Sequence, residues 1–324
     1  MGLAAAVQEA GLAPRCELLH VHHGSGVFAD QAADLVGDYA QRLSWDYAVA
    51  RLPRDSPGSA RSETRWRAAR MAALTELAEQ RGLSWVLLAH HAADLRESVA
   101  LHLMRGHRGL RALAGPACVR PLNARVMLLR PFLAESPALE PQRLAEAAAC
   151  AGSPHLEDPS NASLSIPRNA VRAWLASSSG APFEGRLAAL SARARSGLGR
   201  LREHLVEALH DGLQPCGKGC RVARTALRAP PSHAPMSWLA ELLRLLGAAL
   251  EEAHQPHLSR GVLQRLLREV DDERDQSGSL PATPHPLPYL LRRDGLHFPH
   301  HALITAEPAA RVLSALGGLP WESR

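Results

Sequence analysis

The stretch Leu83–Gly106, LSWVLLAHHAADLRESVALHLMRG, decides the predicted fold of this 324-residue chain. It opens with an apolar run over residues 85–89, which is typical of a strand buried on both faces of a parallel sheet. A polar turn over residues 90–94 follows, and apolar side chains then recur at every fourth position, which predicts an amphipathic helix: Leu95, Val99 and Leu103. Open α/β sheets bind ligands where strands end and helices begin. The pattern therefore predicts a candidate site with four polar side chains: His90, His91, Asp94 and Glu97.

A purely structural interpretation of this turn stays open from the sequence. Asp94 suits the N-cap of the helix, and Glu97, three residues later, would complete a capping box. Caps of this kind are common at helix starts, so the spacing alone does not separate a cap from a site.

The rest of the first half repeats the alternation of strand and helix patterns. Strands are predicted at residues 16–22, 46–52 and 126–132, and helices at 3–10, 28–43, 63–80 and 139–151. Strands that alternate with helices indicate an α/β fold with a doubly wound parallel sheet. The strand ends after His22 and His90 are expected at one edge of that sheet.

The second half of the chain has a different pattern. The Ser-, Gly- and Pro-containing segment 176–182 is predicted to be a linker, which gives one domain over 1–178 and a second, mainly helical domain over 179–324. Leucine stripes predict helices at 187–209, 239–250 and 262–270, the last with Ser259 as its cap. Residues 289–298 are predicted to form a hairpin with Asp294-Gly295 at its turn.

Composition excludes some classes of protein and favours others. Hydrophobic residues make up 46% of the chain, which indicates a globular protein, and no stretch approaches the roughly 20 apolar residues of a membrane span. The net charge of +5 is compatible with nucleic-acid binding. Five scattered cysteines favour a reducing, cytoplasmic location. The one close pair, Cys216 and Cys220, lacks a second pair to complete a zinc site, so a loop is predicted there.

Four short stretches, in this order and spacing, resemble the tRNA(Ile)-lysidine synthetases of the PP-loop (N-type) ATP pyrophosphatases. They are His20-Val-His-His-Gly24; Glu63 with Arg67 and Arg70; the His90–Ser98 turn with Arg105-Gly106; and Glu157-Asp-Pro-Ser-Asn161 followed by Arg168, Asn169 and Arg172. The resemblance covers about residues 1–175, and the late stretch is its most specific part. The leucine-striped helices are similar, less specifically, to that family's tRNA-binding domain.

The resemblance implies a reaction and its partners. ATP activates O2 of the wobble cytosine in a tRNA(Ile) with a CAU anticodon, and the amine of free lysine then attacks C2 and displaces AMP. Mg²⁺ is the implied cofactor, since it spreads the charge of the phosphates. No membrane partner is implied, and a dimer is left open. Six arginines lead us to expect a tRNA-binding lobe over residues 181–324: Arg193, Arg195, Arg200, Arg202, Arg292 and Arg293.

The resemblance also implies site residues. The catalytic set is Asp94, Arg67 and His91, with Asp94 as the metal ligand as well. The implied ATP-binding set adds His23, Arg70, His90, Arg105 and Gly106. The implied lysine and tRNA pocket contains Asp158, Ser160, Asn161, Arg168 and Asn169. The structural alternatives are a helix cap for Asp94, solvated charge for Arg67, and loop caps for Asp158 and Asn161.

Two departures from the family pattern bear on activity. The printed sequence has no Ser-Gly-Gly-x-Asp-Ser loop, and Ala93 and Leu95 stand where an acidic residue and a glutamine are usual. Without the loop's backbone N–H groups to hold the phosphates, we expect little lysine-dependent AMP formation from the chain as printed. Two alternatives follow: a decayed relative that binds tRNA without ATP chemistry, and, with less support, a 2-thiocytidine sulfurtransferase, for which Cys216 and Cys220 are a poor match.

Overall fold

The structure is a computed structural model with two compact units. One unit comprises residues 1–105 and 115–189, and the other comprises residues 106–114 and 190–324. The ranges that the structure describes are 2–24, 26–52, 63–123, 125–134, 140–152, 156–216, 219–230, 233–249, 255–256, 258–272, 274–283 and 287–298. The predicted boundary at residues 178–179 stays a prediction about domains; the two units divide at 189–190, within one helix.

The first unit alternates helices and strands, as its periodicities predict. In chain order its elements are α1 (Gly2–Glu9), β1 (Glu17–His22), α2 (Val27–Leu43), β2 (Asp46–Arg51), α3 (Glu63–Gln80), β3 (Trp85–Leu87), α4 (Ala92–Met104), β4 (Val119–Pro121), β5 (Met127–Leu129), α6 (Pro141–Cys150) and α7 (Pro167–Leu175). Short 3₁₀ helices cover Pro131–Leu133 and Pro159–Ala162.

The strands of the first unit form two hydrogen-bonded pieces. β1 pairs in parallel with β2, and β3 pairs in parallel with β5, whose other edge carries the antiparallel β4. Within the described residues no hydrogen-bonded pairing joins the two pieces. They share one apolar core with helix α3, to which Val21, Leu74, Val86 and Leu128 contribute. The α/β class with parallel strands is therefore confirmed, while β4, only three residues long, was not predicted.

The predicted linker at 176–182 is a tight turn. The amide of Ser177 donates to the carbonyl of Trp174 and that of Gly180 donates to the carbonyl of Ser177. A Cβ atom at Gly180 would lie 1.9 Å from the Trp174 carbonyl oxygen, so only glycine fits this close approach. Helix α8 (Ala181–Gly212) begins directly after it. The long helix predicted from the leucines between 187 and 209 is therefore confirmed, and it begins six residues earlier, inside the segment predicted to be a linker.

The second unit combines leucine-rich helices with a sheet. Its helices are α5 (Leu110–Ala114), the later part of α8, α9 (Arg224–Leu227), α10 (Pro235–Ala249) and α11 (Arg260–Asp271), where Ser259 caps α11 as predicted. The sheet strands are β6 (Leu213–Cys216), β7 (Gly219–Ala223), β9 (Gln276–Leu280), β11 (Leu287–Arg292) and β12 (Gly295–Phe298); β8 (Gln255–Pro256) and β10 (Ala282–Thr283) form a separate short pair.

The five-stranded sheet is antiparallel in the order β6-β7-β12-β11-β9. The predicted hairpin is confirmed as β11 and β12, with Arg292 opposite Gly295. Its turn was predicted one residue too late, because the turn residues are Arg293 and Asp294 and Gly295 already belongs to β12. The predicted loop at Cys216 and Cys220 was wrong, because Cys216 pairs with Gly219 in the β6–β7 hairpin and Cys220 lies in the core. The other strands are short and contain Pro, Gly or Ser, so no alternation marked them. None of the helices in the described ranges is both long and apolar enough to cross a bilayer.

Candidate functional site

The turn between β3 and α4 is organised by Asp94. His91 is the N-cap of α4, and one carboxylate oxygen of Asp94 (Oδ2) accepts the His91 backbone N–H at 3.0 Å. The other oxygen (Oδ1) accepts Nη2 of Arg168 at 3.0 Å. Asp94 is therefore the third residue of the helix, so the alternative interpretation, with Asp94 as the N-cap and Glu97 as its capping partner, does not hold. The structure does bring Asp94 together with Arg168 from the late stretch, 74 residues away.

Glu97 joins α4 to α7 as a buried carboxylate. The residue is 2% exposed. Its oxygens accept Nε of Arg168 at 2.8 Å and both Nε and Nη2 of Arg172, at 2.7 and 3.2 Å. Two carboxylates, Asp94 and Glu97, thus face two guanidinium groups, and the network is close to neutral. We call these four residues the Glu97 network: Asp94, Glu97, Arg168 and Arg172.

The loop that precedes α7 is fixed to the start of that helix. Asp158 caps the 3₁₀ helix by accepting the Ser160 N–H at 2.8 Å. The buried side-chain amide of Asn169 donates to the carbonyls of Ser160 and Ser163, at 2.8 and 3.1 Å. Asn161 is exposed, and its backbone N–H donates to the Asp158 carbonyl. The structure therefore brings all five residues of the predicted lysine and tRNA pocket into one local arrangement.

His90 follows β3 and is hydrogen-bonded to a buried arginine, Arg130. Nε of Arg130 donates to Nδ1 of His90 at 3.3 Å, and Nη1 of Arg130 donates to the Ala117 carbonyl at 2.6 Å. Burial, helped by the charge of Arg130, lowers the pKa of His90 to about 4. Burial likewise lowers the pKa of Arg130 to about 10. His90 is therefore neutral at pH 7, with its proton on Nε2, because Nδ1 accepts.

Arg130 was not predicted as a site residue. It is 2% exposed and follows the apolar strand β5. The sequence did offer a signal for this role, because Arg130 directly follows the apolar run Met127-Leu-Leu. A guanidinium group buried beside such a strand needs polar partners nearby.

The first turns of α3 face the ends of both β1 and β3. The rings of His23 and Trp66 meet edge-on with centroids 5.9 Å apart. Burial lowers the pKa of His23; the charges of Arg70 and His22 lower it further, while Asp158 raises it. The charge of Arg67 likewise lowers the pKa of His90. The structure thus places His23, Arg67, Arg70 and His90 close enough to interact electrostatically, at the carboxyl ends of the two strands.

Arg105 and Gly106 are not brought to this turn. Arg105 is the C-cap of α4, and Asp94 lies in the first turn of the same helix. They are eleven positions apart along the helix, which at 1.5 Å per residue is roughly 16 Å. Gly106, with φ of 75°, makes the turn that ends the helix.

The described residues of this site do not form a set of ligands for a metal ion. Among the described residues no group of three His, Cys, Asp or Glu side chains is placed to hold one. Both oxygens of Asp94, the predicted ligand, already accept hydrogen bonds. The residues as arranged therefore do not by themselves form a Mg²⁺ site.

Comparisons with known proteins define first the class and then the family. The family described as the PP-loop domain, an ATP-binding domain, matches residues 1–178. A tRNA(Ile)-lysidine synthase of Bordetella bronchiseptica is 32% identical over 272 residues, which cover 81% of this chain and 75% of that protein. Another, from Ralstonia nicotianae, is 33% identical over 233 residues, 71% of this chain and 49% of that protein.

The chain therefore belongs to the tRNA(Ile)-lysidine synthase family of PP-loop, tRNA-modifying enzymes. Among solved structures, a U34-tRNA thiolase from Methanococcus maripaludis is similar with a TM-score of 0.45 and 12% identity, over 61% of this chain and 68% of that one.

Proposed function

We propose that the fold and site residues of this chain serve the ATP-dependent attachment of lysine to the wobble cytidine of a tRNA(Ile) with a CAU anticodon. Cytosine O2 attacks the α-phosphorus of ATP and pyrophosphate leaves. The lysine ε-amine then attacks C2, the C2–O bond breaks, and AMP leaves with the oxygen. Family membership supports the proposal, and so does the folding of the late stretch onto the start of α4, where Arg168 contacts both Asp94 and Glu97.

In this proposal the strand ends hold the nucleotide. Arg67 and Arg70 on α3 supply positive charge beside His23 and His90, which suits the phosphates and the departing pyrophosphate. His90, kept neutral, donates through Nε2 without adding charge. His91 and Asp94 shape the start of α4, and the N-terminus of a helix favours anions. The assignment of Arg105 and Gly106 to ATP binding stays a prediction, since the far end of α4 carries them away from this turn.

The loop before α7 is the proposed lysine subsite. Asp158 adds an exposed negative charge that suits the ammonium groups of free lysine. Asn169 holds the loop by its two carbonyl contacts, and Ser160 and Asn161 lie within the same turn. These residues would orient the amine toward the adenylated base, and orientation alone can supply about 7–11 kcal/mol of a barrier.

Mg²⁺ is proposed as the companion of ATP, and it would neutralise phosphate charge. Binding to Asp94 would require that carboxylate to give up its contact with Arg168. Mg²⁺ is held in many nucleotide sites by one or two carboxylates together with the phosphates. A dimer and a cytoplasmic location stay predictions.

The test measures AMP from labelled ATP in the presence of lysine and a tRNA(Ile) transcript, and lysidine in the RNA by mass spectrometry. One protein is the printed chain, and the other is the same chain preceded by a relative's segment with the Ser-Gly-Gly-x-Asp-Ser loop. We expect lysine-dependent AMP from the loop-bearing protein and much less from the printed chain. In the loop-bearing protein, Arg168→Lys should lower the rate of lysine-dependent AMP formation at least tenfold. Arg143→Lys, at an exposed position on α6, should leave that rate unchanged. Failure of the loop-bearing protein to form lysidine would overturn the proposal.

A second candidate function is tRNA binding without ATP chemistry. Ala93, which places a methyl group where the family has a carboxylate, favours it. In that case tRNA binds, no AMP forms in either protein, and Ala93→Asp restores AMP formation to the loop-bearing one. The sulfurtransferase alternative gains no support, since burial raises the pKa of the Cys220 thiol to about 12 and removes its reactivity at neutral pH.

A further inference from the structure

A second buried glutamate, Glu241 on α10, gathers three arginines in the second unit. Arg111 of α5 donates through Nε and Nη2 to its two oxygens, at 3.0 and 2.7 Å. Nε of Arg202 on α8 donates to Oε1 at 2.7 Å. Nη1 of Arg244, one turn along α10, lies 3.8 Å from Oε2. We call these four residues the Glu241 cluster: Arg111, Arg202, Glu241 and Arg244.

The cluster holds more positive than negative charge. One carboxylate faces three guanidinium groups, and both of its oxygens are already bonded. The excess positive charge affects the pKa of Arg244. Burial lowers that pKa to about 10, the charges of Arg111 and Arg202 lower it as well, and the charge of Glu241 raises it. A second anion would relieve this repulsion.

Two of the arginine side chains of the cluster are accessible to solvent, although the glutamate is buried. The Glu241 side chain is 2% exposed, whereas those of Arg111 and Arg244 are 41% and 31% exposed. An anion can therefore reach the guanidinium groups from outside without displacing the carboxylate. Because Glu241 fixes the two arginines that it bonds, binding loses less side-chain freedom than it would at mobile surface residues.

We propose that the three arginines of the Glu241 cluster form a binding site for a phosphate group of an RNA backbone. Planar guanidinium groups match phosphate oxygens in pairs, and a preformed group of three exceeds what one carboxylate requires. The proposal rests on the proposed function only for the choice of RNA as the partner. Of its arginines, only Arg202 was among those expected from the sequence to contact tRNA; Arg111 and Arg244 come together with it only in the fold.

The first test measures binding of a tRNA(Ile) transcript to the full-length chain across a salt series, without ATP or lysine. Arg244→Gln is the main variant, since Arg244 is the most distant from Glu241 and its loss leaves the closer ion pairs in place. We expect three- to tenfold weaker binding at low salt and a salt slope reduced by about one phosphate contact. Arg274→Gln, at an 81% exposed side chain outside the cluster, is the matched control and should change the slope less.

The second test uses inorganic phosphate as the probe. Phosphate stabilises most proteins by exclusion, so the readout is the difference between variants in the thermal midpoint, phosphate against chloride at equal ionic strength. The wild-type and Arg274→Gln chains should gain more than Arg244→Gln. Equal gains in all three, together with an unchanged salt slope for Arg244→Gln, would show that the cluster is only a structural clamp and would overturn the proposal. A loop-bearing protein that binds RNA through the cluster but forms no AMP would contradict the proposed function and leave this inference standing.

Discussion

The two units each bury a glutamate among arginines, and they do so with different charge balances. In the first unit Asp94 and Glu97 together face Arg168 and Arg172, so the network is close to neutral. In the second unit, counted over the four described residues of the Glu241 cluster, one carboxylate faces three guanidinium groups. A balanced network is complete in itself and serves to position α4 against α7. An unbalanced cluster retains positive charge that favours an additional anion.

Removal of the Glu241 carboxylate is the strongest test of this difference in charge balance. We expect Glu241→Ala to lower the free energy of unfolding of the second unit by about 3–5 kcal/mol, because three neighbouring guanidinium groups lose their shared counter-ion. Hydrogen exchange followed on peptides of each unit separates this effect from the first unit. Loss of less than about 1 kcal/mol would mean that the cluster has another counter-ion.

The matching change in the first unit, Glu97→Ala, should cost less, about 2–3 kcal/mol. Arg168 keeps its bond to Asp94, and the Arg172 side chain, which is 48% exposed, can turn to water. The same hydrogen-exchange experiment reports it. If Glu97→Ala proves more damaging than Glu241→Ala, the contrast drawn from charge balance is wrong.

Acid titration should separate the two units by pH. The folded pKa of His90, about 4, lies below its ordinary value of 6.5, so the unfolded chain binds the proton first and stability falls as pH drops from 6.5 to 4. Burial raises the pKa of Glu241, but the charges and hydrogen bonds of Arg111 and Arg202 lower it to about 2, so its contribution is lost only as pH falls from 4.5 to 2. Between pH 6.5 and 4 the first unit should lose about 1–3 kcal/mol.

His90→Gln is the check on that window. It should flatten the first unit's loss of stability without removing it, since burial also lowers the pKa values of His20 and His23. Urea midpoints at pH 7, 5 and 4, read with the same peptides, give the answer. An unchanged slope in His90→Gln would show that other groups carry the acid sensitivity.

The smallest effect is expected at the loop before α7. Asn169→Ala leaves the carbonyls of Ser160 and Ser163 without their donor and should cost about 1–2 kcal/mol locally. In the loop-bearing protein it should raise the KM for lysine more than it lowers kcat, because the loop would be misplaced. Asn161→Ala, at an exposed position of the same loop, is the control for stability and should leave it nearly unchanged.

Periodicity and turn residues act over a few neighbouring positions, so the alternation of strands and helices, the stretch around His90 and the hairpin after Leu287 could be predicted without a structure. The sequence also identified the late stretch from Glu157 to Arg172. The short strands of the second unit left no such mark, and neither did the start of α8.

Which charged side chains form ion pairs with one another is visible only in the folded chain. Glu97 meets Arg172 across 75 residues, and Arg111 meets Glu241 across 130. Arg130 reaches His90 across 40 residues and fixes its proton on Nε2. Ion pairs between distant residues follow from how helices pack, and no local pattern in the sequence encodes them. For this reason Asp94 and Glu97 resembled a cap and its partner in the sequence and prove to be two halves of one network in the fold.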